Sequence, residues 1–335
     1  MSSEPKALAL RERCRAITSS SRRCRNHAID ARGFCRVHAG PARISTRATA
    51  ETRPPEAILH QRIAGFADFL RRRLLGDYEV DEFGFDTDLV EEVLHPIAMG
   101  LYHHWWRVTT LGVENVPSVG SALLVGNHSG TVPFDAVMMQ FGLLEEHPSR
   151  RHVRLIGADL VWQFPVVSHL ARKGGNAVAI QEDTVRLLRA GELVGVFPEG
   201  YKGVGKPFSE RYRLQRFGRG GFVEVALKTQ TPIIPVAIVG AEEIYPLIAN
   251  LKPLARALGF PYFPVTPFFP ALGLLGLVPL PTKWFIEFGD PIPTDGYPPD
   301  AFEDTMTVFD LTDRVRDTIQ QMLNRNLAAR RGVFG

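Results

Sequence analysis

Short apolar runs alternate with amphipathic segments along the chain from residue 120 onward. A brief apolar run bounded by turn residues is typical of a buried strand, and apolar residues that recur every three or four positions are typical of a helix. The pattern predicts strands at 121–127, 152–158, 176–180, 192–200, 231–240 and 283–289. It predicts helices at 134–146, 161–174, 181–191, 221–230 and 311–331.

This alternation predicts an α/β fold with a mixed, largely parallel sheet flanked by helices. In open sheets of this kind, ligands bind beyond the carboxyl ends of the strands. Two polar loops, GNHSG at 126–130 and FPEGYKG at 197–203, follow predicted strands. We therefore expect the functional residues in these loops.

The region before the predicted sheet contains two further patterns. Residues 57–76 have apolar residues near helical spacing and an Arg-rich face, which suits a helix on an anionic surface or one that docks on the protein. Residues 101–106, LYHHWW, place Trp105 beside Trp106. Paired tryptophans suit a membrane interface, and core packing is the alternative.

Residues 257–282 contain no charged side chain. A helix of this length would span a bilayer. Six prolines would break such a helix, because each removes a backbone donor: Pro261, Pro264, Pro267, Pro270, Pro279 and Pro281. The segment therefore predicts an apolar lip or an acyl-chain groove, with a buried irregular loop as the alternative.

Charge is unevenly distributed along a chain that is otherwise globular in composition, 45% hydrophobic and 22% charged. Residues 1–54 hold 12 Lys and Arg against 4 Asp and Glu, and the remaining residues hold 27 against 32. The front of the chain is thus a basic arm. It contains no apolar run typical of a secretory signal, so we expect the cytoplasmic side.

All three cysteines lie in this arm, and Cys14, Cys24, Cys35 and His38 form a complete Cys3His set for tetrahedral zinc. A segment with few large apolar residues needs a metal to fold. Three unconnected cysteines in an unfolded arm are the alternative. The spacing resembles the plant WRC-type motif, which is associated with DNA binding, over about 25 residues and without the WRC triplet. The predicted divisions are a zinc-binding segment at 1–45, a linker and amphipathic region at 46–95, and a catalytic domain at 96–335.

His128 is the residue that an ordinary strand-to-helix turn does not need. Such a turn requires only a glycine and an N-cap, which Asp135 can supply. A histidine near a carboxylate also makes a general base with an orienting partner. The chain has no G-x-S-x-G elbow, no cysteine after Cys35, and neither a P-loop nor a dinucleotide fingerprint. By elimination, the base acts on a bound hydroxyl in direct group transfer.

The FPEG turn, residues 197–200, places Glu199 on a tight turn after a strand. Gly200 lets a substrate approach the backbone closely. Glu199 is therefore a candidate to accept a hydrogen bond from a substrate hydroxyl.

With these motifs and the later PIIPVAIVG, the chain resembles the PlsC-like glycerolipid acyltransferase family from about residue 98 to about 295. The resemblance implies a glycerol-3-phosphate acyltransferase-like fold, with His128 as general base, Asp135 as its orienting partner, and Glu199 and Gly200 on the acceptor side. It also implies an acyl thioester donor, acyl-coenzyme A or acyl carrier protein, and a lipid acceptor at a membrane surface, hence peripheral membrane association.

Departures from the family pattern concern the acceptor. Six residues instead of four separate His128 from Asp135, Lys202 and Gly203 replace an arginine and a serine, and Gln181 falls where the family has a phosphate-binding arginine. The run after Glu199 resembles instead the mono- and diacylglycerol acyltransferase branch. We expect the cations of this run to face donor phosphates, anionic headgroups or solvent. They are Lys202, Lys206, Arg211, Arg213, Arg216 and Arg219. Lys173 is a further candidate substrate-phosphate contact.

Two rival functions remain open. In one, the basic arm binds nucleic acid or an anionic membrane, and the α/β body is an inactive scaffold. In the other, His128 activates water in a lipid hydrolase, although no nucleophile elbow accompanies it.

Overall fold

The structure, a computed structural model, describes residues 55–129, 132–157, 165–259 and 262–335. The chain divides into two units, residues 1–68 and 69–335, and the sheet lies in the second. That unit includes residues 69–95, which the sequence assigned to the linker and amphipathic region. The predicted zinc ligands Cys14, Cys24, Cys35 and His38 lie outside the described residues.

The described residues form the following elements. The α-helices are α1 Pro55–Leu75, α2 Thr87–Leu89, α3 His95–Gly100, α4 Phe134–Glu146, α5 Pro165–Lys173, α6 Gln181–Arg189, α7 Tyr201–Val204, α8 Gly221–Thr229, α9 Lys252–Leu258 and α10 Thr305–Ala329. Two π-helical segments, Val90–Leu94 and Leu101–Trp105, continue α2 and α3. Short 3-10 turns lie at Val113–Asn115, Phe208–Glu210, Ala241–Glu243, Gly273–Leu277 and Ala301–Glu303.

The strands are β1 Thr109–Leu111, β2 Ala122–Gly126, β3 Val153–Gly157, β4 Ala177–Val178, β5 Leu193–Val196, β6 Ile233–Val239, β7 Ala249–Asn250, β8 Pro264–Val265 and β9 Phe285–Phe288. The main sheet has the order β1-β9-β6-β2-β5-β3-β4. Its pairs are parallel except β6 with β9, which is antiparallel. The predicted α/β fold with a largely parallel sheet is confirmed.

Two hydrophobic layers cover the faces of this sheet, as the alternation of side chains along a strand requires. Leu123 and Val125 of β2 pack in one layer, with residues of α6, α8 and α10. Ala122 and Leu124 of the same strand pack in the other, with α4 and the helical stretch 90–106. Because β2 is covered on both faces, only its carboxyl end can present side chains to a ligand.

Element boundaries agree with the sequence pattern where a buried face fixes them. Helix α4 has the predicted bounds 134–146. Helix α10 begins six residues earlier than predicted, because Asp304 caps it by accepting the Met306 N–H at 3.1 Å.

The two paired tryptophans differ in burial. Trp106 is buried and stacks on Trp284, with the ring centroids 4.6 Å apart, which is core packing. Trp105 is 38% exposed.

The uncharged segment 257–282 is broken into short pieces. It holds the end of α9, strand β8 and the 3-10 turn Gly273–Leu277. Leu274 and Leu275 are 84% and 74% exposed, so the alternative of a buried loop is wrong. None of the helices in the described part of the chain has the length and hydrophobicity of a membrane span.

Candidate active site

The site begins where β2 ends. Asn127, the first residue after the strand, is fully buried. Its side-chain Oδ1 accepts the Ile238 N–H at 2.7 Å, and its Nδ2 donates to the Ile238 carbonyl at 3.0 Å. These two bonds fix the carboxyl end of β2 against β6. His128 follows directly, so its imidazole is carried by an anchored backbone.

His128 and Asp135 form a hydrogen-bonded pair across the six residues between them. Nδ1 of His128 lies 2.7 Å from Oδ2 of Asp135, which also accepts the Ser129 N–H at 2.8 Å. Asp135 is fully buried in the first turn of α4, whose N-cap is Pro133. The alternative that Asp135 only caps the helix is therefore wrong.

The imidazole of His128 has one nitrogen left for chemistry. An ionised carboxylate only accepts, so Nδ1 donates to Asp135 and Nε2 is the nitrogen that can take a proton. The side chain keeps 15% of its surface exposed. Part of the imidazole side chain can thus be reached by a group bound at this edge of the sheet.

The pKa of His128 is raised above the ordinary value of 6.5. Burial lowers this pKa, and the Lys206 cation acts in the same direction. The charge of Asp135 and its hydrogen bond outweigh both, with a smaller contribution from Glu199. The surroundings therefore stabilise the imidazolium that forms when His128 accepts a proton.

Glu199, in the turn after β5, holds the His128 backbone. Its Oε1 accepts the His128 N–H at 2.9 Å, and its Oε2 accepts the Gln215 N–H at 2.7 Å. The side chain has no exposed surface. Both oxygens are thus committed to the protein, and the contacts of Glu199 are those of a positioning residue rather than of an acceptor-hydroxyl ligand.

Lys206 lies buried behind Glu199, with 2% of its side chain exposed. Its Nζ is 3.6 Å from Oε2 of Glu199 and donates to Oε1 of Glu242 at 3.1 Å and to the Arg213 carbonyl at 3.1 Å. Burial raises the pKa of Glu242 to about 7, and the Lys206 cation opposes the rise. The prediction that Lys206 faces phosphates or solvent is wrong, because it neutralises two buried carboxyls.

The glycines around this turn are required by contacts and by backbone conformation. A Cβ at Gly203 would lie 2.8 Å from the His128 carbonyl oxygen and 2.8 Å from Cβ of Glu199. This approach explains why no serine occupies the position. Gly200 has φ +52° and ψ −140°, a region that residues with a Cβ avoid, and the space beside it is open. Lys202 follows in α7 with its side chain exposed.

Two aromatic rings complete the surroundings of the base. The Phe197 ring lies 4.8 Å from the His128 ring, centroid to centroid. A Cβ at Gly126 would be 2.9 Å from Cε1 of Phe197, so that glycine admits the ring. A Cβ at Gly205 would be 3.6 Å from Cδ1 of Tyr262, which places Tyr262 on the turn after Glu199. Sequence reasoning missed Phe197, Tyr262 and the burial of Lys206.

Lys173 belongs to a different group of residues. Its Nζ lies 3.3 Å from Oδ2 of Asp86 and 5.2 Å from the centre of the Tyr78 ring. Neither partner belongs to the His128 group. Within the residues that the structure describes, no three His, Cys, Asp or Glu side chains are placed to hold a metal ion.

This arrangement suits proton abstraction from a bound hydroxyl. It supplies an oriented imidazole with a raised pKa and an open glycine turn beside it. Ser129 does not serve as a nucleophile, because it is buried and its Oγ donates to Asp135 at 3.5 Å. The described residues contain no cysteine.

Comparisons with known proteins find a described domain over this site and a relative along most of the chain. The sequence model of the Acyltransferase family matches residues 107–239, which include His128, Asp135 and Glu199. An uncharacterized protein of Mycobacterium tuberculosis is 52% identical over 290 residues, which are 87% of this chain and 80% of the relative.

Two more distant similarities come from proteins with a described activity. A Bos taurus protein described as a DGAT1/2-independent enzyme synthesizing storage lipids is 25% identical over 224 residues, which are 66% of this chain and 60% of that protein. The crystal structure of the 1-acyl-sn-glycerophosphate (LPA) acyltransferase PlsC from Thermotoga maritima superposes with a TM-score of 0.48 at 18% identity, over 73% of this chain and 82% of that one.

Proposed function

This chain belongs to the acyltransferase family, and on that premise we propose that it moves a fatty acyl group from an acyl thioester to the hydroxyl of a glycerolipid. The observation that carries the proposal is the 2.7 Å contact between His128 Nδ1 and Asp135, which leaves Nε2 as the nitrogen that can take the proton of a hydroxyl. With a lipid acceptor we also propose peripheral association with a membrane, on the cytoplasmic side that the sequence predicts.

In the proposed reaction, Nε2 of His128 takes the hydroxyl proton as the alkoxide oxygen attacks the thioester carbonyl. The C–S bond then breaks and the ester C–O bond remains. The thiolate leaving group receives the proton from the imidazolium, which returns His128 to its neutral form. Coenzyme A or an acyl carrier protein supplies the thiol.

For the acceptor we propose a neutral mono- or diacylglycerol in preference to lysophosphatidic acid. Gln181, which aligns with a phosphate-binding arginine of the family, donates from Nε2 to Oε2 of Glu224 at 3.0 Å. Lys202 is then the one cation of the predicted acceptor side, since Lys173 pairs with Asp86 elsewhere. The name of the Bos taurus relative, which refers to storage lipids, supports the same choice.

The test is acyl transfer by the purified full-length chain in detergent micelles. Radiolabelled acyl-coenzyme A is mixed with monoacylglycerol, diacylglycerol, lysophosphatidic acid or no acceptor, and the lipids are separated. His128→Ala is compared with His169→Ala, an exposed histidine of α5. We expect label in a neutral glyceride product, its loss in His128→Ala, and its retention in His169→Ala.

Other outcomes separate the rival functions. Label only in phosphatidic acid would show that Lys202 suffices for a phosphorylated acceptor. Free fatty acid that forms without acceptor and depends on His128 would support a hydrolase. If neither acyl-coenzyme A nor acyl carrier protein gives transfer that depends on His128, the inactive scaffold replaces this proposal.

The zinc site of Cys14, Cys24, Cys35 and His38 stays a prediction from the sequence. Metal analysis of the purified chain, with Cys24→Ser as the comparison, tests it independently of acyl transfer.

A further inference from the structure

An unusual concentration of exposed aliphatic side chains lies at residues 272–278, the 272–278 loop. Every residue of this loop other than its two glycines is an exposed leucine or valine: Leu272 55%, Leu274 84%, Leu275 74%, Leu277 41% and Val278 53%. Single exposed leucines are ordinary on protein surfaces, but a contiguous apolar patch marks an interaction surface.

The backbone beneath these side chains is held firmly. Tyr245 donates its hydroxyl to the Leu277 carbonyl at 2.5 Å. Gly276 packs on the backbone of Phe268, where a Cβ would lie 2.6 Å from the carbonyl oxygen. Trp105 donates from Nε1 to the Pro279 carbonyl at 3.0 Å. The leucines are therefore presented outward by a loop with fixed contacts, and their exposure does not come from a lack of structure.

The charges nearest the loop along the chain have a single sign. No aspartate or glutamate occurs between Glu243 and Glu287, whereas Lys252, Arg256 and Lys283 all lie in that interval. Lys252 and Arg256 are exposed on α9, together with Leu254. An apolar loop whose sequence neighbours are cationic matches a bilayer that contains anionic lipid, because hydrocarbon accepts the leucines and headgroups accept the cations.

Trp105 strengthens the match with a bilayer. Its indole N–H is satisfied by the Pro279 carbonyl, while 38% of the residue is exposed beside the loop. An indole that has one polar contact and an exposed apolar ring suits the headgroup level of a membrane.

The same part of the chain also reaches the His128 site. Tyr262, ten residues before Leu272, packs on Gly205 in the turn after Glu199. The pKa of Tyr262 is raised by burial, and the charge of Asp135 adds to the rise, so its hydroxyl lies within electrostatic reach of the catalytic pair. One segment thus contributes both a residue beside Gly205, near the His128 site, and the apolar surface.

We propose that the 272–278 loop inserts its leucines into a bilayer that carries anionic lipid and holds the His128 site beside its lipid acceptor. The inference rests on the proposed lipid acceptor for its purpose, but the docking itself does not require catalysis. A second copy of this chain is the competing occupant of the surface.

Vesicle flotation of the full chain tests the docking. Vesicles of phosphatidylcholine with about one third phosphatidylglycerol are compared with phosphatidylcholine alone. We expect binding to the anionic vesicles to fall at least about tenfold in the double variant Leu274→Ser/Leu275→Ser, which corresponds to about 1.4 kcal/mol.

The chain offers a matched control pair. Leu74 and Leu75, at the end of α1, are also adjacent and are 87% and 69% exposed. We expect Leu74→Ser/Leu75→Ser to bind vesicles as the unaltered chain does. If this control loses binding and the loop variant keeps it, the Arg-rich end of α1 is the docking element and the proposal is overturned.

Activity and mass distinguish the remaining outcomes. The loop variant is expected to retain transfer in detergent micelles and lose it on vesicles, whereas His128→Ala floats normally without transfer. If the loop variant no longer floats and neither the unaltered chain nor any variant shows acyl transfer, the docking is upheld. The same result rejects the proposed function. Unchanged flotation, or a dimer in light scattering that the loop variant converts to monomer, would overturn the docking.

Discussion

The His128 site and the 272–278 loop lie in the same unit, yet they distribute charge and hydrocarbon in opposite ways. Around the site, Asp135, Glu199, Lys206 and Glu242 are buried, each with hydrogen bonds or an ion pair. In the loop, leucine side chains are exposed to solvent, and the backbone beneath them is held by the Tyr245 hydrogen bond to the Leu277 carbonyl. Buried charges cost stability unless they are paired, and a contiguous exposed apolar patch marks a surface that another partner covers.

The difference lies in where the compensation comes from. The buried charges are compensated inside the chain, because each carboxyl meets a cation or backbone N–H groups. The exposed leucines have no apolar cover within the described residues, so we attribute their cover to the hydrocarbon of a bilayer. Substitutions in the site should therefore damage catalysis or folding, and substitutions in the loop should damage neither.

The largest expected effect is that of Asp135→Asn. The amide cannot balance the imidazolium and no longer fixes the tautomer of His128, so we expect kcat to fall about 10³- to 10⁴-fold. Initial rates of acyl transfer from acyl-coenzyme A in detergent micelles give kcat for this variant and for the unaltered chain. Asp290→Asn, on an exposed residue after β9, is the control and should leave kcat unchanged.

Lys206→Met should destabilise the fold by about 3–5 kcal/mol, because Glu199 and Glu242 would then face each other without a cation. Because Lys206 lowers the pKa of Glu242, which is about 7 in the unaltered chain, Glu242 of the variant should become protonated at a higher pH. The loss should therefore shrink as the pH falls toward about 7 and stay constant below it. Denaturant unfolding at pH 6 and pH 8 measures this. Lys202→Met, on the exposed lysine nearby, is the control and should not change the free energy of unfolding. Lys206→Arg keeps a cation at the position, so it should lose less stability than Lys206→Met.

A pH-independent loss in Lys206→Met would contradict the role of the cation and leave only lost packing. Equal losses in Lys206→Met and Lys202→Met would contradict the distinction between the buried and the exposed lysine.

Gly203→Ala should lower kcat about 10²-fold. The new methyl group would lie 2.8 Å from the His128 carbonyl oxygen, which is too close, so the His128 backbone must shift and the imidazole moves with it. Gly296→Ala is the matched control, since a Cβ at that glycine would meet no atom within 4 Å. Normal kcat in Gly203→Ala would mean that the position of His128 is less constrained than the contact indicates.

The smallest expected effect is on stability in the loop. Leu274→Ser/Leu275→Ser should change the free energy of unfolding by no more than about 0.5 kcal/mol, the usual range for surface substitutions. Denaturant unfolding without lipid measures it. A large loss would mean that these leucines pack within the chain in solution.

The sequence predicts the sheet and its edge because local pattern and burial agree there. Helix α4 and the position of His128 after β2 follow from periodicity and turn residues alone. The His128–Asp135 contact is also local, since only six residues separate the pair.

The remainder of the site depends on contacts between distant parts of the chain. The use of both oxygens of Glu199 requires Gln215 and Lys206, and no periodicity places those groups beside it. One signal was available. Glu242 and Glu243 lie in a short turn that begins two residues after the buried strand β6, and adjacent carboxyls there require cations, which Lys206 and Arg330 supply. For residues 257–282 the sequence predicts an apolar lip or an acyl-chain groove, but composition alone does not locate the exposed leucines at 272–278, because it also fits a buried loop.

The most direct test of the account is the pH dependence of kcat/KM for the unaltered chain and for Asp135→Asn. The raised pKa of His128 predicts activity that is lost as the pH falls through an inflection above 6.5, because the protonated imidazole cannot accept the hydroxyl proton. In Asp135→Asn, the lowering by burial is less opposed, so the inflection should move to lower pH. An inflection that does not move, or activity that rises as the pH falls, would contradict His128 as a base governed by Asp135.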